Sequence, residues 1–260
     1  EQRYGEYSIS RLDLPPENRA QATFWWGEVA FQRAAEQLEA SSNSGTLDPA
    51  FVKEIVPRYE KYLATNDSNY RPLAAFRLGQ LYQSIDQPQQ AVTAYQRYLK
   101  TKDDAFQQEA HYELGMLYAR QNEPKLAIEQ LLPLRSQERY RTEPGFWTML
   151  VQQYDAIGNK QNAEQILRDA YNNDSFQRNT QLRFLQELSN RQYEEKRCLE
   201  LLSELAPISD SSSIPDATRL IRQRGSCFLQ EKQWGLARTD FETLLEDPDY
   251  QESSFRGMMV

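Results

Sequence analysis

Apolar and small residues recur along this chain at spacings of three and four with polar residues between them, the pattern of a helix that buries one stripe. From Arg71-Pro72 the stripe is Ala75, Leu78, Gly79 and Tyr82, and after Asp86-Gln87-Pro88 it resumes as Ala91, Tyr95, Tyr98 and Leu99. A second pair runs through Ala110, Leu114, Gly115 and Tyr118, turns at Asn122-Glu123-Pro124, and continues through Ala127, Leu131 and Leu134. The two stretches superpose at a step of 36 residues, and a third copy sets Leu150, Val151, Tyr154 and Ala163 in the same order. Gly225, Phe228, Ala237 and Phe241 make a further copy, displaced by slightly more than one step. Self-similarity at this period predicts stacked helical pairs, each burying its apolar face on the next. Small residues at Gly79, Gly115, Ala91, Ala127 and Ala163 let two backbones approach, and Tyr82, Tyr118, Tyr154 and Phe228 are expected to fill the space opposite.

Upstream, helix formers run from Gln21 to Ala40 with Phe24, Trp25 and Trp26 near the start. Ser41 to Gly45 reads as a loop, and Asp48-Pro49 supplies an N-cap and a first-turn proline. Ile55, Tyr59 and Tyr62 fall one step before Ala91, Tyr95 and Tyr98, so a first pair with a stretched first helix and loop is expected. Pro15-Pro16 and the lack of a helical period predict an irregular lead-in over 1–20. The opening at Glu1, without an initiator Met or an apolar leader, reads as an excised segment, and residues 249–260 read as the start of a further helix or a truncated repeat.

Composition narrows the function classes. Charged residues are 26% of the 260 and no run approaches the roughly 18 apolar residues of a membrane span, so no direct span is expected in this segment. The net charge of −8 argues against nucleic acid as a partner, because phosphate binding needs a basic surface.

Leu78-Gly79, Tyr82, Ala91 and Tyr95 resemble the tetratricopeptide repeat, as do Leu114-Gly115, Tyr118 and Ala127. The resemblance continues at Trp147, Leu150, Tyr154, Gly158-Asn159, Ala163, Leu167 and Ala170, and at Gly225, Phe228, Trp234, Ala237 and Phe241. It implies an all-α fold, a right-handed α-α superhelix of about six helix pairs over 21–248, with repeats near 22–68, 71–104, 106–138, 144–176, 180–207 and 217–248. The first and fifth are degenerate, the fifth having Lys196 or Arg197 where a small residue belongs. The family's first helices line a concave groove that holds peptides or partner domains. Carried onto this sequence, that groove takes Phe76, Gln80, Gln83, Tyr112, Met116, Arg120, Thr148, Gln152, Asp155, Arg222 and Ser226. Phe76, Tyr112 and Met116 either face the groove or complete the packing between neighbouring first helices. Members that clamp a C-terminal carboxylate resemble one another in placing Lys and Asn here. Phe76, Gln80, Tyr112 and Met116 offer no paired cations, which argues against that subclass.

No catalytic constellation, metal set or cofactor motif is present in the sequence, and the single histidine, His111, falls on a packing position. Cys198 and Cys227 are placed at similar height on antiparallel neighbours, so they form either a disulfide or two free, packed thiols aligned near Val92 and with Leu81 and Leu117. The expectation is a non-enzymatic scaffold that binds a protein partner within a larger assembly. Its Gln- and Tyr-rich wording resembles secreted or periplasmic bacterial repeat proteins, although the sequence fixes no compartment. The alternative is a segment of a bacterial envelope exopolysaccharide-export apparatus that contacts polymer or a polymer-modifying enzyme, sugar stacking requiring Phe76 and Tyr112 to be exposed. Self-association through Phe255 and Met258-Met259-Val260 is a further option.

Overall fold

A computed structural model describes residues 15–40, 47–205 and 215–245. The described residues form thirteen α-helices and no strand. In chain order these are α1 (Pro16–Ala40), α2 (Pro49–Leu63), α3 (Arg71–Ser84), α4 (Pro88–Leu99), α5 (Gln107–Arg120), α6 (Pro124–Leu131), α7 (Glu138–Arg141), α8 (Pro144–Ala156), α9 (Lys160–Tyr171), α10 (Arg178–Glu194), α11 (Cys198–Leu205), α12 (Pro215–Gln230) and α13 (Trp234–Leu245). Six successive pairs result: α1/α2, α3/α4, α5/α6, α8/α9, α10/α11 and α12/α13. They divide between two compact units with the boundary after Leu134.

Five of the six pairs turn in the same way. Asp86, Asn122, Gly158, Lys196 and Lys232 all hold positive φ, between 54° and 70°. Each follows its first helix by two residues, and the next backbone N–H reaches back to the carbonyl five residues earlier: Gln87 to Tyr82, Glu123 to Tyr118, Asn159 to Tyr154, Arg197 to Gln192, and Gln233 to Phe228. This left-handed cap satisfies the last carbonyls of the first helix and reverses the chain. Proline or another residue needing no i−4 donor then starts the second helix, as at Pro88 and Pro124.

Within a pair, the closest approach is a glycine against a large side chain sixteen positions on. A methyl group at Gly79 would come 2.5 Å from the Tyr95 ring, and one at Gly115 would come 2.5 Å from Leu131. At Gly225 the corresponding neighbour is Phe241, at 3.1 Å. The first pair uses Gly27 against Tyr59, at 3.2 Å, and the longer separation absorbs the stretched loop. The side chain opposite the glycine is therefore Tyr95 on the second helix, and the expectation that Tyr82 fills this space is corrected. Tyr82 instead reaches the preceding pair, where its hydroxyl donates to Glu60 of α2. Tyr118 repeats the link one step later, accepting from Gln96 of α4 at 2.8 Å.

A second repeated device closes the junction between pairs in the first unit. The Tyr62 hydroxyl accepts the Tyr70 N–H at 2.8 Å, and the Tyr98 hydroxyl accepts the Phe106 N–H at 2.7 Å. In both turns a threonine hydroxyl bonds back to the tyrosine carbonyl, Thr65 to Tyr62 and Thr101 to Tyr98, and an aspartate, Asp67 or Asp103, accepts the backbone N–H two residues on. Aromatic stacking completes it: Phe24 lies on Tyr70 with centroids 4.5 Å apart, and Phe76 on Phe106 at 4.6 Å.

Three differences from the sequence expectation have local causes. Helix α1 begins at Pro16, inside the expected lead-in, because proline suits the first helical position and Glu17 complements the N-terminal dipole. In α10/α11 two extra residues separate Gly158 from Lys196, so the true register puts the small Ser189 at the glycine position and Leu201, fully buried, at the alanine position. Lys196 is the left-handed cap residue and not a failed packing position. The second unit also buries more polarity than the stripes predict. Glu164 pairs with Arg197 at 2.6 Å, Asp240 takes both ends of Arg224 at 2.8 and 2.9 Å, and Ser189 donates to Gln223 at 2.7 Å. Residues 1–14, Ser41 to Thr46 and 249–260, on which other expectations fell, lie outside the described residues.

The tyrosine junctions predict an alkaline limit. Burial pushes the Tyr98 hydroxyl up to about 12 against the lowering effect of the Phe106 N–H, with Asp103 adding to the rise. Burial also raises Tyr62, Tyr82, Tyr59 and Tyr95. A phenol whose folded pKa is raised contributes stability that is complete below its unfolded value, about 10, and lost as pH climbs through the folded value. Followed together, tyrosinate absorbance and far-ultraviolet circular dichroism should show cooperative ionisation and helix loss between about pH 10 and 12. Gradual ionisation with full helicity retained would contradict the junction.

Candidate functional site

In the second unit the first helices α8 and α10 stand side by side with a cleft of about 560 Å³ between them. Thr148, Gln152 and Asp155 come from α8, spaced by four and three so that they share one face. Arg183, Glu187 and Arg191 face them from α10 at the spacing of one helix face, and Val151, Leu167 and Phe184 form the apolar floor. The two walls are tied at one end. Arg191 donates through both terminal nitrogens to the Asp155 carboxylate at 2.7 Å each, and its Nε reaches Glu187 at 3.2 Å. The Asp155 carboxylate holds the Arg191 guanidinium above its ordinary pKa against the opposing effect of burial. At the other end Arg183 is exposed and makes no ion pair among the described residues. The cleft thus presents a fixed bidentate clamp, a hydroxyl, an amide and one open cation over an apolar floor. Such a set can hold an extended backbone with a carboxylate at one end.

The remaining candidate positions are distributed differently. Phe76 is buried at 3% exposure, edge-on to Tyr95 and stacked on Phe106, so it is an interior residue and not a groove contact. The position three before the anchor glycine is covered where an aromatic opens the following pair, as Tyr70 and Phe106 do for Phe24 and Phe76. Tyr112 is half-buried. Gln80 accepts from Arg77 at 2.9 Å, and Arg77 leans on Glu28, a buried carboxylate that also accepts the Tyr59 hydroxyl. Gln83 accepts from Tyr95 at 3.1 Å and donates to Glu113 at 2.8 Å. Met116 is half-buried and Arg120 exposed. On α12, Arg222 is exposed and Ser226 turns its hydroxyl back to the Arg222 carbonyl at 2.9 Å. His111 sits with Nδ1 2.9 Å from Gln130 Oε1.

Sequence inspection missed Arg183, Glu187 and Arg191 because the register of the fifth pair was misplaced by the two extra residues. The bonded pair Asp155 and Arg191 could have been sought as opposite charges 36 positions apart on adjacent first helices.

Cys198 and Cys227 are joined in a disulfide, with Cα atoms 5.2 Å apart. Cys198 is the first residue of α11, the position of Pro88 and Pro124, and not a counterpart of Val92. Both cysteines are buried, and the bond ties the start of α11 to the late turns of α12.

The family model for the tetratricopeptide repeat matches residues 73–101, the α3/α4 pair almost end to end. That pair is matched as a tetratricopeptide repeat, and the other described pairs share its helix-turn-helix architecture. The structure of Naa15/Naa10 bound to HypK-THB aligns at a TM-score of 0.54 and 19% identity, covering 81% of this chain and 31% of that one. The tetratricopeptide protein YrrB, whose structure is described as having an unusual peptide-binding site, aligns at 0.44 and 15% identity over 78% of this chain and 98% of its own. MamA aligns at 0.39 and 16% identity over 78% and 92%. A search of curated proteins by sequence gave no match. Among the described residues of the array, no helix is long and apolar enough to cross a membrane.

Replacing both Cys198 and Cys227 by alanine frees a loop of 29-residue separation. Chain-entropy arguments put the loss at about 3 to 4 kcal/mol, carried by the second unit. Urea unfolding under oxidising and reducing conditions checks this, since the parent should fall to the variant's midpoint when reduced.

Proposed function

We propose that the chain is a non-catalytic protein-binding scaffold whose α8/α10 cleft holds an extended segment of a partner protein within a larger assembly. The observation that carries this is the built cleft itself: an apolar floor, an immobilised Asp155 and Arg191 clamp, and the open Arg183. Gln152 and Thr148 supply the mixed donor and acceptor groups that a peptide backbone requires. Rigid walls lower the entropic cost of ordering an extended ligand. For the carbohydrate alternative, one of its two stacking residues is withdrawn, because Phe76 is buried and stacked on Phe106. The disulfide supports an oxidising compartment, such as a bacterial periplasm or envelope, as the working location.

Placing a photoreactive amino acid at Gln152, and separately at exposed Gln165 on α9, tests the site. Irradiation in native extract should yield a discrete adduct from position 152 that disappears when Arg183→Glu is added, and none from 165. Equal adducts from both positions, or indifference to Arg183→Glu, would move recognition off this cleft.

A further inference from the structure

The first unit holds a second cleft, about 810 Å³, between the second helices α2 and α4 with α3 beneath it. Its existence follows from two residues. Ala75 and Ala94 stand in the floor. One step along the chain their counterparts are His111 and Gln130, whose side chains meet at 2.9 Å and bridge the equivalent space. In the α8/α9 pair the counterparts are Trp147 and Ile166, both buried. No other described pair has alanine at both positions. Among the described pairs the small side chains at both positions are thus particular to α3/α4, and they forgo apolar contact that Trp147 and Ile166 make in α8/α9.

The rim has a sign. Glu60, the acid lining the cleft, is engaged by the Tyr82 hydroxyl. Arg97 and Lys100 are exposed at the rim, and neither makes an ion pair among the described residues. Exposed Gln89 and Gln90 add amides that can donate and accept.

We propose that this cleft seats an acidic segment of a partner protein, one bulky apolar side chain resting over Ala75 and Ala94 and flanking carboxylates meeting Arg97 and Lys100. The alanines leave the volume, the amides match a peptide backbone, and the two open cations set the charge of the ligand in a chain that is otherwise net acidic. This surface uses second helices of the first unit, so it stands or falls independently of the α8/α10 cleft.

The full chain, labelled with nitrogen-15, is titrated with the blocked peptide Asp-Glu-Phe-Asp-Glu and followed by amide chemical shifts. Saturable shifts should centre on the amides of Ala94, Arg97 and Lys100. Replacing the peptide's Phe by Ala, or its acids by lysines, should abolish them. Ala75→His combined with Ala94→Gln, which imports the next pair's side chains, should block binding. Arg97→Gln with Lys100→Gln should weaken it about tenfold or more while leaving the fold untouched, so the surface variant decides the matter even where the core variant does not fold. Absence of saturable shifts, equal binding of the Phe and Ala peptides, indifference to the Arg97 and Lys100 changes, or shifts that follow protein concentration alone would overturn the proposal.

Discussion

The close approach of glycine to a large side chain sixteen positions later sets the distance between the two helices of a pair, and the rest of the array follows from that distance. Gly79 under Tyr95, Gly115 under Leu131 and Gly225 under Phe241 leave no room for a methyl group without displacement. With the backbones held this near, a short left-handed cap can close the pair, and the five positive-φ residues sit where that closure demands. Tyr82 and Tyr118 can then reach back to Glu60 and Gln96 of the preceding second helix, so the spacing inside a pair also fixes the contact between pairs.

Regular stacking makes departures informative. Where the pattern is kept, the side chains between neighbouring helices are consumed by packing, as Phe76 is by Tyr95 and Phe106. Where it lapses, space opens. Val151 replaces the anchor glycine in α8, and the two residues added before Lys196 shift α10 relative to the ideal step. Between these two helices lies the cleft with Asp155 clamped to Arg191. In the first unit the lapse is the pair of alanines at 75 and 94. Charge accompanies both openings: beside the first stand a clamp and Arg183, beside the second Arg97 and Lys100, three cations with no ion pair among the described residues.

The helix pairs and their turns could be read from the chain because period and turn chemistry are local properties: Pro88 and Pro124 start helices wherever the rest of the molecule lies. Contacts across the sequence were harder to read. That Tyr95, and not Tyr82, lies on Gly79 depends on which way a helix faces after the turn, which spacing alone leaves open. Gly27 escaped notice because the stretched loop of the first pair breaks the step that revealed Gly79 and Gly115. The repeated Tyr-Leu-x-Thr-x-Asp at 62–67 and 98–103 was visible as letters, but its role as a hydrogen-bonded junction appears only when Tyr98 is seen to hold the Phe106 N–H. Of the candidate site, Thr148, Gln152 and Asp155 were placed by family geometry, whereas their partners on α10 required the corrected register.

A double-mutant cycle on the α3/α4 pair tests the controlling contact most directly, with stability read from urea unfolding. In the parent, Gly79→Ala should cost about 1 to 3 kcal/mol, overpacking against the Tyr95 ring outweighing the gain in helix propensity. In a Tyr95→Val background the offending ring atoms are gone, and Gly79→Ala should instead stabilise by roughly 0.5 to 1 kcal/mol. The same sign and size in both backgrounds would contradict the claim that this contact sets the spacing of the pair.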